Sequence, residues 1–378
     1  MCNLTPIKTL LLIIAIAWLT WAQPAACGGL KDVSYDFDQS KLAAAEDSFH
    51  FLRSFVDYFY LLVKANAATF KIFPSTAHVS GWCVGDAHPE NFGVVLLNDG
   101  QPLFTMNDMD DSGPCPIVLD MLRLMVSSRL YEANTKLDNM LDAYTQGLRH
   151  KSYDVPSAVQ DLISKAKKRG ASPNPNKVNG NRLVRDDQDA EVSSSLRAQI
   201  ASTVLSVVGS SLAEGAQIID MLATTKVGGG SGGLQRYELL MQNGESLLHL
   251  ELKEQKQPAI YPVGTDKLGT AQRIATTLLM DQGSTASVFY KVVQIGSTSM
   301  LVRPRFADNV GVSLVKGSAS DNKDIVRYEA YTLGVIHSRS LSSSEAWVKI
   351  LDDISEPAWE NDVELLTEQF QQKFKKLK

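Results

Sequence analysis

Gly85-Asp86-Ala87-His88-Pro89-Glu90-Asn91-Phe92-Gly93 and, one short hairpin later, Asn107-Asp108-Met109-Asp110-Asp111-Ser112 decide how this chain reads. Asp86, Asp108, Asp110 and Asp111, with Asn91 and His88, fall within 26 residues. Clustered like charges repel unless a cation neutralises them. Oxygen donors suit a hard divalent ion, and Asp with Asn suits Mg²⁺, which keeps waters and shares its shell with phosphate oxygens. The alternative is a polar loop of Asx-turns and a cap, for which Asp and Asn are equally apt. The flanking residues place the acids. Gly81–Val84 predicts a short buried strand, Phe92–Leu97 a second, Asn98-Asp99-Gly100 a tight turn and Pro102–Met106 the partner strand. Both acidic clusters therefore stand at strand ends.

Outward from this centre the texture alternates. Phe51, Leu52, Phe55, Phe59, Leu62 and Val63 recur at helical spacing and predict a helix over Ser48–Phe70. Ile117–Leu130 predicts another, residues 170–181 a Pro/Gly-rich linker, and Ser193–Leu222 a further helix. Lys226-Val227 then leads into Gly228-Gly229-Gly230-Ser231-Gly232-Gly233, followed by strands at Leu234–Met241 and Leu247–Lys253 around Asn243-Gly244. Helices are expected at Leu268–Met280, Asp324–His337 and Trp359–Lys376. The class is α+β with two β-rich centres, near 81–106 and 226–256.

Glycines let backbone N–H groups approach phosphates, and a lysine on a nearby strand can pair with them. Gly229, Gly230, Ser231 and Gly232 with Lys253 fit that use, although no Gly-Lys-Ser/Thr closes the loop as in a Walker motif. A flexible hairpin is the plain alternative.

Composition limits the rest. The chain has 378 residues, enough for two or three compact units or one bilobal one. With 44% hydrophobic and 21% charged residues it is neither disordered, collagenous nor a coiled coil. A net charge of −5 with no strong basic block outside Lys373–Lys378 argues against nucleic acid as the main partner. At the N-terminus, Lys8, the apolar run Leu10–Leu19 and Gln23-Pro24-Ala25-Ala26-Cys27 read as a signal peptide over residues 1–26, so the protein is expected to be exported. An uncleaved membrane anchor extended by Trp18 and Trp21 is the other reading, and Cys27 after Ala-Ala resembles a lipoprotein box with Pro24 in the usual Leu place. Cys83 and Cys115 flank the acidic motifs; a disulfide and two reduced thiols both remain open.

Asp86-x-x-x-x-Asn91 with Asp108-Met109-Asp110 resembles the catalytic and metal loops of kinase-like phosphotransferases, and the glycine hairpin with Lys253 resembles their nucleotide lobe. The whole set is similar to the bacterial family called domain of unknown function 2252, across roughly residues 48–340. Its motifs stand here as Gly85–Gly93, Asn107–Asp111, Asp120-Met121-Leu122-Arg123-Leu124, Val227–Gly233 and Lys253-Glu254-Gln255. The resemblance implies a bilobal, protein-kinase-like α+β fold in circularly permuted order. Residues 27–47 would be a linker, 48–215 the catalytic lobe, 216–310 the β-rich nucleotide lobe and 311–378 a helical C-terminal segment. It implies Asp86 as the catalytic residue aided by His88, Asn91, Asp108 and Asp110 around Mg²⁺, the 229–232 turn and Lys253 on ATP, and Asp120 and Arg123 as support. Arg53 would bind a carboxylate or phosphate, and His337 would end a helix. Thr276 stands where the family's helix carries a carboxylate for the lysine, which leaves the partner of Lys253 open. The acceptor is not legible. Two other functions stay open: a kinase-like module that binds without transfer, and a metal-dependent phosphoesterase, for which the remaining histidines (His50, His78, His150, His249, His337) are scattered.

Overall fold

The computed structural model describes residues 29–131, 133, 135–226, 228–264, 268–306, 312 and 319–378. The expected signal segment, Cys27 and Val227 lie outside the described residues. Among the described residues no helix is long and apolar enough to cross a membrane.

The N-terminal part opens with helices α1 (Gln39–Ala44), α2 (Ser48–Ser54), α3 (Val56–Ala65) and α4 (Phe73–Thr76). The expected continuous helix from Ser48 is broken because Phe55 leaves the helical region, at φ −124° and ψ 63°. Asp47 caps α2 by accepting from the His50 amide at 2.8 Å. Two small antiparallel pairs follow. Strand β1 (Ser80–Cys83) pairs with β4 (Gly113–Pro116), and between them β2 (Phe92–Leu96) pairs with β3 (Pro102–Met106). Both acidic motifs lie at the ends of these four strands. Helix α5 (Val118–Leu130) is buried at every residue but Arg129, its polar Asp120, Arg123, Ser127 and Ser128 included. Helices α6 (Leu137–Leu148) and α7 (Ser157–Arg169) complete this part.

A polar connection carries β5 (Val178–Asn179), β6 (Arg182–Leu183) and β7 (Asp189–Glu191) into α8 (Ser194–Val208). The helix expected as far as Leu222 stops at Val208. It passes into a short 3₁₀ turn at Gly209–Ser211, Gly215 takes φ +77°, and the apolar run beyond becomes strand β8 (Gln217–Thr224). The chain then runs through β9 (Arg236–Asn243), β10 (Ser246–Glu254), α9 (Thr270–Gln282), β11 (Lys291–Ile295) and β12 (Thr298–Pro304). These strands form a six-stranded antiparallel sheet in the order β11-β12-β10-β9-β8-β7. Because β7 joins it, the sheet-bearing part begins near residue 189, before the expected boundary at 216. Helices α10 (Ala319–Ser338), α11 (Ser344–Asp352) and α12 (Glu356–Leu377) return to the N-terminal part, where α10 packs on α6, and α12 on α5 and α2. The fold is α+β.

Alternation divides β10 between two environments. Leu248, Leu250 and Leu252 enter the main apolar core. His249, Glu251 and Lys253 point to the opposite face and are equally buried.

Candidate functional site

The polar face of the sheet meets the acidic motifs at a cleft of about 160 Å³. The N-terminal part contributes Asp86, His88, Asn91, Asp108, Asp110 and Asp111, and the sheet side contributes Gly229, Gly230 and Ser231.

Asp86 is set by its loop and by α5. Gly85 adopts φ +87°, where a Cβ would overlap the Asp111 carbonyl, so the turn requires glycine. Asp120 accepts from the Val84 and Gly85 amides at 2.6 and 3.0 Å. One helical turn later, Arg123 donates its Nε to Asp86 Oδ1 at 3.0 Å and an Nη to the Leu52 carbonyl at 3.2 Å. Asp120 and Arg123 are both fully buried. Burial pushes the Asp86 carboxyl up, but Arg123 and His88 more than offset it and hold the group well below the usual carboxylate range. His88 Nε2 stands 3.5 Å from Asp86 Oδ2; burial lowers its pKa against the pull of Asp86. Asn91 donates to the Asp86 carbonyl at 3.0 Å.

His337 departs from its expected role as a plain helix end. It is fully buried, with Nε2 3.0 Å from Asp120 Oδ2 and Nδ1 2.8 Å from the Tyr144 hydroxyl, to which Trp347 Nε1 donates at 3.0 Å. The C-terminal helices therefore brace the Asp86 loop through Asp120. Arg53 holds a carboxylate, that of Glu90, at the cleft wall.

Lys253 is fully buried. Its Nζ lies 2.6 Å from Asp108 Oδ2 and also pairs with Asp110. The partner that Thr276 leaves open is thus supplied by the acidic motif itself. Helix α9 offers Arg273 in place of a carboxylate: it donates to the Met109 carbonyl at 3.0 Å and to Gln255 Oε1 at 3.1 Å, while Gln255 donates to Asp110 at 2.8 Å. Lys253, with Arg303, overcomes the burial of Asp108 and lowers its pKa. Asp108 Oδ1 is buried without a hydrogen-bond partner among the described residues. Asp111 carries the opposite shift: burial, with Asp86 nearby, raises it to about 6.

Sequence reasoning missed the ion pairs beside the lysine. Glu251 accepts from Arg236 and from Arg303, each at 2.5 Å. Arg236 also donates to Ser231 Oγ at 2.7 Å, and Arg303 to the Asn107 carbonyl at 3.4 Å. Glu251 so connects the glycine turn to the acidic motif. The period-two charges of β9 and β10 were the available signal. The turn is seated on helices α2 and α3, since a Cβ on Gly230 would lie 3.3 Å from the Arg53 carbonyl and Val56 Cγ2. Gly232 belongs to the turn but does not line the cleft, whereas Lys226, Lys256, Glu90 and Asn107 do.

The Cys83 and Cys115 sulfurs are bonded, which closes the alternative of two free thiols. No curated protein and no solved structure matches the chain. The model of the bacterial family described as "Uncharacterized protein conserved in bacteria (DUF2252)" matches residues 41–140 and 132–356, and the chain belongs to that family.

Proposed function

We propose that this protein is a kinase-like phosphotransferase that uses ATP-Mg²⁺ on a hydroxyl acceptor. One observation carries the reading: Asp86, Asn91 and Asp108 share a cleft with the glycine turn, and Lys253 from the separate sheet reaches Asp108. The parts agree in kind with those of protein kinases, a glycine turn between two strands, a lysine on the third strand and a helix after it. In this chain they follow the catalytic loop, which supports a permuted lobe order.

The residues present fit Mg²⁺. Among the described residues no three His, Cys, Asp or Glu side chains are grouped to cage a metal. Mg²⁺ needs only one or two carboxylates when phosphates and water supply the rest. Asp108, with Oδ1 buried and unpartnered, and Asn91 would hold it, with Asp110 behind them. Bound there, the ion would neutralise charge on the phosphates. Asp86 keeps its carboxylate ionised and fixed by Arg123, so Oδ2 can orient the acceptor hydroxyl. The acceptor oxygen bonds to the terminal phosphorus as the bridging P–O bond to the leaving diphosphate breaks, and the hydroxyl proton passes to Asp86.

Calorimetry of the mature chain with ATP-Mg²⁺, followed by transfer assays with hydroxyl acceptors, tests this reading; absence of binding at millimolar nucleotide sinks it. A second reading, binding without transfer, is favoured by the engagement of both Asp108 and Asp110 with Lys253. A two-metal phosphoesterase needs several converging ligands, and the scattered histidines do not provide them. The Cys83–Cys115 bond supports an oxidising compartment, and with it export.

A further inference from the structure

The side chains lining the cleft are Arg53, Asp86, His88, Glu90, three further aspartates, two asparagines, two lysines and Ser231, alongside two glycines. Among the described residues that line it none is aliphatic, and the only ring is the imidazole of His88, which is engaged with Asp86 and lies edge-on to Phe49. Pockets for whole small molecules run to about 300 Å³ or more and are mostly apolar. A nucleobase gains much of its affinity by laying its π-face on a ring or an apolar wall. At about 160 Å³ this cleft is smaller than such pockets, and its described residues supply no such wall.

The sheet face beside Lys253 gives a structural reason. In the Val-Ala-Ile-Lys strand of protein kinases, the residue two before the lysine, on the same face, is a small alanine. Here that position is Glu251, 2% exposed and tied to Arg236 and Arg303. Fixed buried charges occupy the strip of sheet next to the lysine. The glycine turn offers the opposite character. Lys226 and Lys256 are exposed at the cleft and have no carboxylate partner among the described residues, and Lys256 Nζ lies 3.2 Å from the Gly230 carbonyl. A chain of phosphates would give both lysines counter-charges.

We infer that the site recognises its donor through the phosphate chain alone and does not read the base, so that its donor class is polyphosphate, free or carried on any nucleoside. This rests on the phosphotransfer reading above and names the donor of that same site. It also suits an exported protein, because an inorganic chain would serve where free nucleotide is scarce.

The test is calorimetry of the disulfide-intact chain at fixed free Mg²⁺ with ATP, GTP, inorganic triphosphate and adenosine. The expected result is dissociation constants for the first three within about threefold of one another, with no heat from adenosine. The exposed lysine variants Lys226→Ala and Lys256→Ala should each weaken all three ligands by a common factor. ATP binding more than about tenfold tighter than triphosphate, or adenosine binding by itself, overturns the inference and leaves the phosphotransfer reading standing. A lysine variant that weakens triphosphate but not ATP also overturns it. Failure of all four ligands to bind removes both.

Discussion

Lys253 Nζ lies 2.6 Å from Asp108 Oδ2 across 145 residues of intervening chain. The pair joins the third strand of the large sheet to the end of a small hairpin, and Asp110 completes it from the same motif. A lysine with no solvent exposure must keep such partners, because an unpaired buried ammonium is costly. The ion pair therefore fixes how the two β-rich parts face each other, independently of any ligand.

Removing one partner leaves the other charged and unpaired. Lys253→Met should lower unfolding stability by about 3 kcal/mol and weaken ATP-Mg²⁺ binding. The double variant with Asp108→Asn should recover part of the stability and none of the binding. Urea unfolding of the three variants checks this; additive losses would show that the pair is not coupled.

Asp86→Asn preserves the acceptor oxygen for Arg123 and removes the negative charge. Transfer should fall by roughly 10²–10⁴-fold while ATP-Mg²⁺ affinity changes little. A large loss of affinity instead would place Asp86 on the phosphates, against its assigned role.

Asp281 is a buried acid on α9 outside the cleft. Burial raises its pKa from 3.8 to about 6, against hydrogen bonds from Thr105, Gln282 and the Met106 amide. The folded state then holds more protons than the unfolded chain between those values, so stability falls as pH rises from about 4 to 6. Asp111 acts with the same sign in the same window. Asp281→Asn, which can still accept from Thr105 and Met106, should be more stable than wild type above pH 6, by up to about 3 kcal/mol, and should flatten the slope below it. Unfolding midpoints from pH 4 to 8 decide the point. An unchanged slope rejects it.

The acidic motifs, the glycine turn and the tight hairpins were legible because each depends on local chemistry: Asn98-Asp99-Gly100 for a turn, or Asp and Asn at strand ends. Helix α5 was also legible from the helical spacing of Ile117–Leu130. The face of β9 and β10 carrying Arg236, Glu238, His249, Glu251 and Lys253 was not. Alternating charge on a strand ordinarily marks a solvated face. Here the charges neutralise one another and remain buried, and only the register pairing Glu251 with Glu238 and Arg303 reveals it. His337 escaped for a related reason: its partner, Asp120, lies 217 residues away. Helix α8 was over-extended because apolar Ile218 and Ile219 continue its pattern, and only the glycines mark the change.

Reduction of Cys83–Cys115 should cost roughly 4 kcal/mol of stability, since the bond closes a loop of 32 residues in the unfolded chain. Denaturant unfolding with and without reductant, alongside the Cys83→Ser/Cys115→Ser double variant, measures it. Equal midpoints in both conditions would contradict the bonded pairing.

That same sulfur bond sets how the cleft responds to proteolysis. The exposed tip at residues 98–101 lies inside the closed loop, with Asp86 and Asn91 before it and Asp108 and Asp110 after it. A protease that cuts there separates the two acidic motifs along the backbone and leaves them in one covalent molecule. In an extracellular setting the hairpin could be nicked without scattering the cleft, and the break would be visible only once reductant released the fragments.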